Sequence, residues 1–82
     1  MNEFQFFQKQ ILQYLYKKES VSTDEIEGLF GGDYDCQNVN NVISNRYNGT
    51  SYIYQGYMKY DSDNHILTIT PKGRKFVESN FQ

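Results

Sequence analysis

The chain has 82 residues, a mass of 9.7 kDa, and 38% hydrophobic, 17% aromatic and 22% charged side chains. That suits one small folded domain over residues 1–82, and it excludes a multidomain enzyme and a disordered chain. Eight Lys and Arg against ten Asp and Glu leave a net charge of −2, which counts against strong nonspecific affinity for nucleic acid. A lone Cys36 excludes an internal disulfide and a cysteine-built zinc site. No run approaches the ~18 apolar residues of a membrane span. The first ten residues lack the charged-then-apolar pattern of a secretory signal. A cytoplasmic protein with no membrane partner is expected.

The first predicted helix covers about 2–19. Phe4, Phe7, Ile11, Leu12 and Leu15 fall on one stripe, with Gln5, Gln8, Lys9, Gln13 and Lys17 on the other side. Phe6, Tyr14 and Tyr16 widen the apolar arc, which implies a second packing surface or an exposed aromatic edge. Ser22 three residues before Glu25 is a capping box, and Val21 with Ile26 has the spacing of a hydrophobic staple. A short second helix follows, with Ile26, Leu29 and Phe30 on its apolar face and Gly31-Gly32 as its stop.

Asp33 and Asp35 are both good caps for a third helix. There Cys36, Val39, Val42, Ile43 and Tyr47 share the apolar side, while Gln37, Asn41, Ser44, Asn45 and Asn48 share the polar one. Arg46 falls within the apolar arc, at the end where a cation suits the helix dipole. Asn48-Gly49 ends this helix. From Ser51 the period changes to two. Tyr52, Ile53, Tyr54, Tyr57, Met58 and Tyr60 suggest a strand, with Gly56 as a bulge. Residues 61–64 read as a turn and 65–70 as a returning strand with Leu67 and Ile69 on one face. Thr70-Pro71 is an N-cap followed by proline at the first helical position, opening a last helix that ends near Asn80.

The passage 65–78, His-Ile-Leu-Thr-Ile-Thr-Pro-Lys-Gly-Arg-Lys-Phe-Val-Glu, resembles the strand-to-helix step "L-T-x-T-x-K-G" of small bacterial winged helix-turn-helix regulators. The stretch 19–26 resembles the approach to the second helix of the same superfamily, where a short strand at Val21 joins the hairpin as a third strand. The resemblance spans nearly the whole chain. It implies an α+β fold: a single winged-helix domain with a helical core and a two- to three-stranded antiparallel β-hairpin wing. It also implies that 36–48 is a recognition helix and 52–70 the wing. Fold alone does not assign function.

Two functions follow. In the first, a small regulator reads A·T-rich DNA in the major groove. Gln37, Asn41, Ser44, Asn45 and Asn48 meet base edges, since Asn and Gln amides pair bidentately with adenine. Lys59, Lys72, Arg74 and Lys75 meet phosphates. Asp61 and Asp63 at the wing tip, with Asp33 and Asp35, oppose this reading because they would stand near phosphates. In the second, the domain docks a protein through Tyr52, Tyr54, Tyr57 and Tyr60 and the aromatics of the first helix, because exposed Tyr gives a large contact area at small entropic cost. A phage- or plasmid-type accessory protein that binds a host factor is a third and weaker variant. Phe6, Tyr14, Tyr16 and Phe81 are candidates for a weak homodimer contact. His65 stands alone and no catalytic set is visible, so no enzyme activity, metal or cofactor is expected.

Overall fold

A computed structural model describes the backbone over residues 3–29 and 33–81, and the side chains over 4–29 and 39–81. The stripe on the first helix, α1 (Glu3–Lys18), forms the floor of the core: Phe7, Ile11, Leu12 and Leu15 are buried and Phe4 is partly so. Gln8 departs from the expected polar side and is fully buried, at 0% exposure. It lies four residues from Phe4 and Leu12 and three from Ile11, so the helical spacing carries it inward. The helix stops at Glu19, whose φ of 73° is left-handed. The Glu19 N–H donates to Leu15 O at 2.6 Å, the single bond of a left-handed helix cap, and Glu19 O accepts from Ile69 N at 3.0 Å.

A short strand, β1 (Ser20–Ser22), leads into helix α2 (Thr23–Leu29). Ser22 Oγ accepts from Glu25 N at 3.1 Å, the expected cap. The Glu25 carboxylate accepts instead from Tyr14 Oη at 2.5 Å, tying α2 to α1. Val21 and Ile26, the staple pair, both join the core. Phe30 of the apolar face and the expected stop at Gly31-Gly32 lie outside the described residues.

Helix α3 (Asp33–Ser44) contributes Val39 and Val42 to the core. The proposed caps Asp33 and Asp35, and the placement of Cys36, concern side chains outside the described set. The helix ends four residues earlier than the periodicity suggested. Arg46 N bonds Ile43 O at 3.2 Å and Asn48 N bonds Asn45 O at 2.9 Å, both tighter than an α-helical step. Because the helix has ended, Tyr47 does not reach the apolar side and stands 77% exposed. Arg46 does serve this end as expected, with Nη1 donating to Ile43 O at 2.8 Å.

The largest departure lies at 51–57. No strand forms there; the chain makes one helical turn. Ser51 Oγ accepts from Ile53 N and Tyr54 N at 3.1 and 3.4 Å, and Gln55 N bonds Ser51 O at 3.0 Å. At the other end Gly56 N bonds Ile53 O and Tyr57 N bonds Tyr52 O, with Gly56 at φ 87°. That pair of bonds around a left-handed glycine is a Schellman ending, so Gly56 is a helix stop and not a bulge. The hydrophobic contact that accompanies such an ending is the edge-on Tyr52–Tyr57 pair, 5.5 Å between ring centres.

The hairpin is therefore short: β2 (Met58–Asp61) and β3 (Ile66–Ile69), with Met58 opposite Ile69 and Asp61 opposite Ile66. Strand β1 pairs antiparallel with the far edge of β3, giving the order β1-β3-β2. Leu67 and Ile69 face the core as expected. Helix α4 (Pro71–Asn80) closes the fold, with Thr70 Oγ1 accepting from Gly73 N at 3.0 Å and proline in the first turn. The described residues thus form an α+β fold of four helices and an open three-stranded antiparallel sheet around one core. Among them no helix is long and apolar enough to cross a membrane.

Two substitutions test this packing. A Cβ at Gly73 would fall 2.0 Å from Tyr57 O and 2.9 Å from its carbonyl carbon, so α4 and the 51–57 turn must separate in Gly73→Ala. Chemical denaturation should show a loss well above the ~0.5 kcal/mol of a surface change, in the range of overpacking at about 1–3 kcal/mol or more. Ser22→Ala, by contrast, should cost about 1 kcal/mol through loss of one cap.

Candidate functional site

Helix α3 meets solvent through amides and a hydroxyl. Asn40, Asn41, Ser44, Asn45 and Asn48 are all exposed. They are not equivalent. Asn41 O accepts twice from Asn45, from the backbone N at 3.0 Å and from the side-chain Nδ2 at 2.8 Å. Asn48 Oδ1 accepts from both Thr50 N and Thr50 Oγ1 at 3.0 Å. Asn45 and Asn48 therefore shape the turn that ends α3, while Asn40, Asn41 and Ser44 form the open part of the face. The Gln37 side chain lies outside the described residues.

The four expected phosphate contacts also divide. Lys72 Nζ donates to Gln55 O at 2.8 Å and sits 5.3 Å from the centre of the Tyr57 ring, neutralising the carbonyl end of the 51–57 turn. The Arg74 guanidinium lies 5.6 Å from the Tyr16 ring centre, with Nη1 3.5 Å from Tyr16 O and Nη2 4.0 Å from Glu19. Both cations are spent on the C-terminal ends of helical segments. Lys59 on β2 and Lys75 on α4 are exposed.

Of the four tyrosines expected at a protein interface, Tyr52 is core at 8% exposure. Tyr57 stacks on Phe76 with ring centres 4.1 Å apart and planes 13° from parallel. Tyr60 Oη pairs with His65 Nδ1 at 3.1 Å. Tyr54 alone is largely exposed, at 61%. The candidates for self-association fare similarly. Tyr16 donates to Glu78 Oε2 at 2.7 Å, Phe81 packs edge-on against Phe76 beneath Lys9, and Phe6 stands out at 52% exposure.

One surface group was not anticipated. The Arg46 guanidinium lies 5.1 Å from the Tyr47 ring centre and 5.7 Å from that of Tyr60, so the end of α3 and the hairpin share a cation held between two rings. Only the position of Arg46 at the helix end hinted at it. The hairpin tip beyond is acidic and ordered by its own hydrogen bonds. Asp61 Oδ1 accepts from Asp63 N at 3.0 Å and Asn64 N at 3.3 Å, and Oδ2 accepts from Asn64 Nδ2 at 2.8 Å. The Asn64 side chain, then the backbone amides, hold the Asp61 carboxyl below its ordinary range. Comparison of the chain with family models, curated proteins and solved structures gave no match.

The tip makes its own pH prediction. A carboxyl that is more acidic folded than unfolded stabilises the turn above its ordinary pKa, and that support is lost as pH falls through the depressed folded value. In an NMR titration the Asp63 and Asn64 amide signals should move together in that acidic window. In Asp61→Ala they should show no such transition.

Proposed function

We propose that this chain is a winged-helix domain that binds DNA, with α3 in the major groove. The observation that carries the reading is the solvent face of α3, where Asn40, Asn41 and Ser44 stand open and uncharged, each able to donate and accept. An amide that does both fits the paired acceptor and donor on adenine N7 and N6. Asn has low helix propensity, so a face built from it is a costly way to make inert surface. The element order, and a hairpin carrying β1 on its far edge, support the winged-helix assignment. The open face covers about one helical turn, so A·T reading rests first on Asn41, while Asn45 and Asn48 set the end of the helix. Lys59 and Lys75 supply the phosphate contacts. Asp61 and Asp63 hold the hairpin tip away from the backbone.

The second reading, docking to a protein, is favoured by one feature: Tyr47 and Tyr54 are the most exposed aromatics among the described residues, and an Arg flanks the former. Tyr and Arg are the residues from which protein hot spots are usually built.

Fluorescence titration with A·T-rich and random duplexes separates the two. Two phosphate contacts give a slope of log K against log salt of roughly −2, at −0.9 per neutralised phosphate. Asn41→Ala should lose about 1–3 kcal/mol of preference for the A·T-rich site. Lys59→Ala should weaken both duplexes alike. No binding to either duplex at low salt would overturn the DNA reading. Loss of partner capture in Tyr54→Ala would then carry the other.

A further inference from the structure

We propose that Asn48 is a site of spontaneous deamidation, in which its side chain closes onto the backbone nitrogen of Gly49. Asn48 lies in the turn beyond α3, and Asn48, Gly49 and Thr50 are all exposed. The attacking residue has no side chain, and a Cβ built at Gly49 would meet nothing within 4 Å, so neither residue nor surroundings obstruct the approach. Among the described residues the Gly49 N–H donates no hydrogen bond, so the nucleophile is not held elsewhere. The electrophile is prepared. Thr50 N and Thr50 Oγ1 both donate to Asn48 Oδ1 at 3.0 Å, which polarises the side-chain carbonyl and receives the negative charge that attack creates.

Asn45, Asn64 and Asn80 differ at the group that must leave, while Asn40 and Asn41 lie within α3 and precede Asn and Val in place of Gly. Asn45 Nδ2 is bonded to Asn41 O, Asn64 Nδ2 to Asp61 Oδ2 and Asn80 Nδ2 to Phe76 O, and each precedes a bulky residue. At Asn48 the oxygen is held and the nitrogen is free to depart.

The step balances with water as the sole co-reactant. Gly49 N gives its proton to water and forms a bond to Asn48 Cγ. The tetrahedral intermediate expels Nδ2 as ammonia, leaving a five-membered succinimide. Water then opens either carbonyl, giving an aspartyl or an isoaspartyl residue at position 48. One water is consumed, one ammonia is released and nothing is oxidised. The product puts a carboxylate at the C-terminal end of α3, where the helix dipole is already negative. The isoaspartyl form also adds a backbone atom two residues before the Thr50 carbonyl that Gln8 holds at 3.1 Å. This chemistry stands whether or not the chain binds DNA.

The test is incubation of the folded full-length chain at mildly alkaline pH, with peptide mass spectrometry to locate each exchange of amide for acid. Asn48 should convert before every other asparagine, at a rate within a few-fold of that in denaturant. Gly49→Ala should slow it by roughly tenfold, since a Cβ narrows the backbone angles and crowds the attack. Retention of the Asn48 amide in the folded chain while the denatured chain converts would overturn the proposal. So would an unchanged rate in Gly49→Ala.

Discussion

A buried side-chain amide holds this fold in register. Gln8, on the inward stripe of α1, accepts from Tyr52 N at 2.7 Å through Oε1 and donates to Thr50 O at 3.1 Å through Nε2. It pairs with the connection between α3 and β2 as a neighbouring strand would, one donor and one acceptor against alternate residues. The need is general. That connection crosses the core surface, where an unpaired backbone group costs about 1–3 kcal/mol, and no second strand is there to meet it. The rest of the connection is met by side chains together with backbone bonds. Ser51 caps the start of its turn, Thr70 Oγ1 donates to Gly56 O at 2.5 Å, Thr70 N donates to Tyr57 O at 3.1 Å, and Lys72 closes on Gln55 O. One irregular segment is thus sewn to α1 on one side and to the start of α4 on the other.

The same stitching explains why Gly73 carries no side chain and why the aromatic residues gather where they do. Tyr57 must lie close against the first turn of α4 for its carbonyl to reach Thr70 N, and that approach leaves no room for a Cβ at 73. Its ring then falls on Phe76, with Tyr52 edge-on to both. A run of tyrosines that alternation assigns to a hairpin surface becomes a small aromatic core under α4. Burial raises the pKa of the Tyr52 hydroxyl above its ordinary value of 10.0, as expected for a phenol withdrawn from water.

Elements whose ends carry a specific local bond were legible in the sequence. Ser22 before Glu25 and Thr70 before Pro71 each put an oxygen where a helix needs one, and the alternation of Leu67 and Ile69 needed nothing beyond a buried face. The α+β class follows from these. At 51–57 two local signals conflicted, β-propensity in the Tyr and Ile run against a serine and a glycine five residues apart. The capping bonds won, since β-propensity mainly reflects neighbours that a strand must find and this segment lacks. At Gln8 polarity and spacing point opposite ways, and the spacing prevails: positions 4, 8, 11, 12 and 15 form one stripe that turns the amide inward. The apolar stripe of α3 runs on past Ser44 in the sequence, but from Arg46 the backbone closes i→i−3 bonds, Arg46 N to Ile43 O and Asn48 N to Asn45 O, and the α-helical ladder ends there.

The candidate site was less legible than the fold, and for a related reason. A cation or an amide in a sequence looks available, but a helical end consumes such groups. The described residues hold four helices and one extra helical turn, hence many helix-end carbonyls with acceptor capacity to spare at short intervals. Arg46 bonds Ile43 O, Asn45 bonds Asn41 O, Lys72 bonds Gln55 O, Asn80 bonds Phe76 O, and Arg74 reaches toward Tyr16 O. What is left for a partner is what no helix end claims: Asn40, Asn41 and Ser44 along α3, Lys59 and Lys75, and the rings of Tyr47 and Tyr54. Under the proposed reading, recognition has to come from that remainder. With few cations among it, discrimination between sequences rests on the amides more than on charge.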